Sequence, residues 1–101
     1  MSAYSTAHGP EAAVDLVVAN DRHGLETTQA LIAEVCEFVD GRWVGVDVAA
    51  ARYQRFLLGS PLRYDGDLRG VDLDAVDYVT LVRSELEERN VEAGRPQHAG
   101  L

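Results

Sequence analysis

Leu31-Ile32-Ala33-Glu34-Val35-Cys36-Glu37-Phe38-Val39-Asp40-Gly41-Arg42-Trp43-Val44-Gly45-Val46 is the stretch on which the fold turns. Leu31, Ile32, Val35, Phe38 and Val39 fall at offsets of 0, 1, 4, 7 and 8, the stripe of an amphipathic helix, and Ala30, Glu34 and Glu37 take the opposite face. The spacing predicts a helix over Glu26–Val39 with Phe38 in the core. Asp40-Gly41 then has two readings: a helix end with Gly41 as the left-handed C′ residue, or a two-residue hairpin turn. The helical spacing ahead of it favours the helix end, with Arg42–Val46 left as a short strand or hairpin.

Outward from this stretch, Asp47 is placed to cap a helix that runs to Leu58, with Ala49, Tyr53, Phe56 and Leu57 inward and Arg52 and Arg55 outside. Gly59 ends it before Ser60-Pro61. Asp72 marks the start of the longest helix, with Val71 and Val76 as a hydrophobic staple and Asp74 and Asp77 adding charge that suits an N-terminus. Ala75, Val79, Val82 and Leu86 form its stripe, widened by Tyr78 and Leu81, and the pattern fades near Arg89 and Asn90. Glu11–Ala19 reads as a helix begun at Gly9-Pro10 and stopped at Gly24, or as a strand centred on Val14, Leu16 and Val18; the helix is preferred. The expected architecture is mainly α: about four helices over residues 10–90 around Leu31, Val35, Phe38, Tyr53, Phe56, Leu57, Val79, Val82 and Leu86. Residues 1–9 and 91–101, without apolar periodicity, read as flexible tails.

Composition narrows the function. A chain of 101 residues with 47% hydrophobic content suits one small domain. Seventeen Asp and Glu stand against nine Arg, with no Lys, for a net charge of −8. That balance disfavours nucleic-acid backbones and anionic lipid as partners, because both demand clustered cations. The lack of Lys, the bias that GC-rich bacterial codons impose, also removes every mechanism built on a Lys base, Schiff base or phosphate-loop Lys. The single Cys36 forms no internal disulfide, residues 1–10 lack the basic start and apolar core of an export signal, and no apolar run is longer than the four residues of Leu16–Ala19. A cytoplasmic location is the default expectation.

Candidate chemistry is sparse. Asp65, Asp67 and Gly70 occupy positions 1, 3 and 6 of a calcium-loop pattern, but Arg69 and Val76 stand at positions 5 and 12, where oxygen ligands belong, so a solvated turn is expected. His8, His23, Cys36 and His98 lack zinc-site spacing; Cys36 reads as a small apolar residue and His23 as the occupant of a helix C-terminus. No nucleophile elbow or glycine-rich phosphate loop occurs. No catalytic, cofactor or metal residue is therefore assigned.

Resemblances to known families touch parts of the chain. The pairs Glu34/Glu37 and Asp74/Asp77, each one helical turn apart, resemble the carboxylate pairs of the all-helical nucleotide pyrophosphohydrolases of the MazG type, which implies Mg²⁺ between two helices. Trp43-Val44-Gly45 resembles the Trp-x-Gly turn of small type VII secretion substrates, which implies a long helical hairpin. Cys36–Gly41, Val48–Leu58 and Asp72–Leu86 are similar in order to PqqD-like domains, which implies a strand edge and neighbouring helix that grip an extended peptide, the candidate strand being the one at Val14–Val18. The reading that the residues themselves favour is a small acidic protein-binding domain, adaptor or regulatory, without catalysis and free to form homo-oligomers. Its partner is another protein with a basic patch. Glu85, Glu87 and Glu88 are the candidate contacts, because three acids near a helix C-terminus oppose the macrodipole, and Trp43 is the next.

Overall fold

A computed structural model describes residues 2–99, with side chains for residues 9–88. Four helices, α1 (Ser2–Ala19), α2 (Arg22–Val35), α3 (Val46–Leu58) and α4 (Tyr78–Ala99), enclose the core, and a hairpin of β1 (Glu37–Val39) and β2 (Arg42–Val44) joins α2 to α3. The mainly helical bundle with a short hairpin is thus present. Met1, Gly100 and Leu101 lie outside the described residues, as do the side chains of most of both expected tails.

Helix α1 is broken at Gly9, whose φ of 64° and ψ of −138° are not helical, and restarts with Pro10. Proline suits that position, since its missing N–H has no helical acceptor there and its φ is already set. Ala12, Val14, Val17 and Val18 are buried, so Glu11–Ala19 is the preferred helix and not the strand. It ends at Ala19, five residues before the expected stop. Gly24 instead lies buried in the first turn of α2, where the Asp21 carboxylate accepts its N–H at 2.7 Å. A Cβ on Gly24 would stand 2.9 Å from Leu62 Cδ1, so that helix start and the loop after α3 pack through a missing side chain. His23 accordingly sits at the N-terminal end of a helix, opposite to expectation.

Helix α2 closes with the Cys36 N–H donated to the Ile32 carbonyl, after which Cys36 is extended. The expected continuation to Val39 does not occur. Asp40 and Gly41 have φ of 52° and 81°, the two positive values of a type I′ turn, and the chain doubles back in register Glu37 to Val44, Phe38 to Trp43 and Val39 to Arg42. Phe38 therefore leaves the core and is 51% exposed. The physical reason is that Glu37-Phe38-Val39 and Arg42-Trp43-Val44 hold β-branched and aromatic residues on both sides of an Asp-Gly pair, and pairing across the turn wins over one more helical turn.

Gly45 caps α3 in the left-handed conformation, with φ of 83°, so the expected Asp47 cap is corrected to a favourable acid in the first turn. Ala49, Ala50, Tyr53 and Leu57 face inward and Phe56 is half-buried. Two 3₁₀ turns, Pro61–Tyr64 and Gly66–Leu68, follow Gly59, and Leu68 anchors the loop in the core. The Asp65 carboxylate accepts the Asp67 N–H at 2.8 Å, so this acid closes the turn itself.

The start of α4 is also displaced from its expected place. The Asp72 carboxylate accepts the Asp74 N–H, in a local turn, whereas the Asp77 carboxylate accepts the backbone N–H of Thr80 at 3.2 Å and its hydroxyl at 2.9 Å. Asp77 is the cap, and Val76 with Leu81, both buried, becomes the staple. Glu11 of α1 accepts the Asp77 N–H, and the Tyr78 hydroxyl donates to the Leu73 carbonyl at 2.6 Å, which ties the approach loop to the helix. Ala75 is left exposed in that loop. At the centre, Val14, Ile32, Leu57, Val82 and Leu86 are almost wholly excluded from water.

Candidate functional site

The hairpin departs from a polar, water-facing surface. Phe38, Val39, Val44 and, from the first turn of α3, Val48 are exposed apolar side chains within one short segment. Phe38 and Trp43 meet edge to face with ring centroids 5.1 Å apart, and Trp43 also packs partly against the core. Alternation along each strand puts these rings on one face and Glu37, Val39, Arg42 and Val44 on the other. Apolar surface thus stands open on both faces.

Gly45 fixes how the hairpin leaves the bundle. A Cβ there would come within 2.5 Å of the Val35 carbonyl oxygen, so the end of β2 lies directly on the last turn of α2. Glycine is demanded twice, by the positive φ and by that approach. Among the described residues, Glu37, Asp40 and Asp47 have no cationic partner, and Arg42 has no acidic one. The aromatic pair is therefore surrounded by a net negative charge.

The carboxylates singled out from the sequence are distributed differently. Glu34 on α2 pairs with Arg52 of α3 at 3.5 Å, while Glu37 is on β1, so the two do not share a helix face. Asp74 lies in the loop and Asp77 is engaged as a cap. Among the described residues no group of three His, Cys, Asp or Glu is arranged to hold a metal ion. Cys36 is buried.

Glu87 and Glu88 are exposed on α4, but Glu85 is half-buried and accepts a hydrogen bond from Gln29 of α2 at 3.3 Å. Glu85 also lies close enough to Asp15 of α1 to matter electrostatically: burial first, and the Glu85 charge second, raise the Asp15 pKa above its ordinary value of 3.8. The three glutamates are therefore not one uniform outer face, and Trp43 belongs to a different element. Tyr78 is pushed up to about 12 by burial, with Asp74 and Asp72 adding to the effect, so its hydroxyl stays protonated as the donor to Leu73.

The Trp43-Val44-Gly45 triplet spans β2 and the cap of α3, not a turn between two long helices. Val14–Val18, the candidate strand of the PqqD-like resemblance, is helical. A shallow groove along α2, between Glu26 and Glu34, opens to solvent beside His23, whose ring lies 6.3 Å from that of Phe56. No described helix is long and apolar enough to cross a membrane. No family model, curated protein or solved structure matches this chain.

Proposed function

We propose that the chain is a small acidic protein-binding domain that acts in the cytoplasm as an adaptor or regulator and docks its partner on the β1–β2 hairpin. The observation that carries this reading is the exposed Phe38, set edge to face on the half-buried Trp43 and flanked by the exposed Val39, Val44 and Val48. Exposed aromatic residues on a rigid support are the usual anchors of protein interfaces, and the left-handed Gly45 cap against Val35 supplies the support. The unpaired Glu37, Asp40 and Asp47 favour a partner with a basic patch, and the net charge of −8 extends that preference to long range. Glu87 and Glu88 serve the same attraction from α4.

A photo-crosslinking side chain placed at position 38, at 43 and, as a control, at the highly exposed Tyr64 tests this in the native host. Adducts to the same protein from 38 and 43 but not from 64 are expected. Equal capture at all positions, or none at 38 and 43, would overturn the hairpin as the docking face.

A further inference from the structure

We infer that the partner contributes an extended, cationic segment that pairs antiparallel with the free edge of β1, at Phe38. The inference rests on the binding role proposed above and adds the backbone geometry and the charge of what binds. A two-residue turn makes the flanking Val39 and Arg42 a hydrogen-bonded pair. Antiparallel ladders alternate, so Phe38 and Trp43 form the next, non-hydrogen-bonded pair, and the N–H and C=O of Phe38 point away from β2. Among the described residues the sheet has only these two strands, and none pairs with that edge.

The geometry also selects the occupant. One outward-facing residue exchanges both of its hydrogen bonds with one residue of an added strand only when the two run antiparallel; a parallel strand would split them between different residues. The neighbouring outward position on β1's N-terminal side is Cys36, whose N–H is already donated to Ile32, so a single narrow pair centred on Phe38 is what the edge offers. The body of a helix would have no backbone groups to give there, because its own are internally bonded. Glu37 and Asp40, unpaired on either side of Phe38, and Asp47 nearby in sequence, favour Arg or Lys beside the paired residue. A cation over the exposed Phe38 ring gains further. The edge is short, which limits unwanted self-pairing and leaves selectivity to the charges.

The test uses the full chain and a short synthetic peptide that alternates arginine with valine, the same peptide N-methylated at every internal amide, and a glutamate–valine counterpart. The unmodified arginine peptide is expected to bind, to slow amide exchange at Phe38 and not at Trp43, and to outbind the methylated form by at least about tenfold, the loss expected for two backbone hydrogen bonds. The acidic peptide is expected not to bind. Absence of binding by the arginine peptide, equal binding by its methylated form, or unchanged exchange at Phe38 would overturn strand pairing, and equal binding by the acidic peptide would overturn the charge preference. Phe38→Ser separates the two levels. Methylation without effect but binding abolished by Phe38→Ser would leave the hairpin role intact and remove the strand; binding unaffected by Phe38→Ser would remove the aromatic anchor and, if methylation is also without effect, the strand with it.

Discussion

Gly45 and Gly41 have nearly the same φ, 83° and 81°, but different surroundings: a Cβ on Gly41 meets nothing within 4 Å, whereas one on Gly45 meets the Val35 backbone. Gly41→Ala is expected to cost about 1–2 kcal/mol from the left-handed conformation alone. Gly45→Ala adds a backbone collision, so urea unfolding should give it clearly the larger loss; equal losses would mean that the hairpin does not lie on α2. Phe38→Ala, by contrast, is expected to change stability by no more than about 1 kcal/mol, the scale of an exposed aromatic pair. Asp15 gives a pH signature. Its folded pKa lies above its unfolded one, so the contribution to stability is complete below the unfolded value and is lost as pH rises through the folded value. At neutral pH the ionised group is therefore a local cost. Asp15→Asn should raise the urea midpoint at pH 7 and gain progressively less as the pH falls toward 4.

Elements differ in how much of their identity their own residues carry. The body of α3 and the inward row Tyr78, Val82 and Leu86 of α4 follow from helical spacing, since burial of one face is what that spacing encodes. The ends do not, because capping is decided by competition among several acids. Asp72, Asp74 and Asp77 all qualify by type, and Asp77 wins because Val76 and Leu81 are then both buried and Glu11 of a distant helix accepts its N–H. Asp77→Ala should cost about 1 kcal/mol and Asp72→Ala markedly less, a difference that thermal melts resolve. The hairpin was hidden for a related reason. Val35, Phe38 and Val39 satisfy a helical stripe and a strand equally well over so short a run, and only contacts outside it, Gly45 on the Val35 carbonyl above all, separate the two. Trp43 was visible as a candidate contact from its sequence setting; Phe38 was not, because the helical phase assigned it to the core.

At the scale of the whole molecule, the described residues put most of their apolar mass inside and leave Phe38 out beside the half-buried Trp43, on a chain whose net charge of −8 favours cationic partners over like-charged ones at long range. Association with a basic partner should slow as salt rises, and charge reversal at Glu87 and Glu88 should lower the association rate more than it raises the dissociation rate in stopped-flow measurements. The exposure of Phe38, and with it the proposed docking and strand pairing, depends on the chain turning back at Asp40-Gly41. Proton NMR of the free protein examines that turn directly, since a non-hydrogen-bonded antiparallel pair brings its two α-protons together. A strong nuclear Overhauser effect between the α-protons of Phe38 and Trp43 is expected, and medium-range effects from Val35 to Phe38, the mark of a helix running on to Val39, would contradict it.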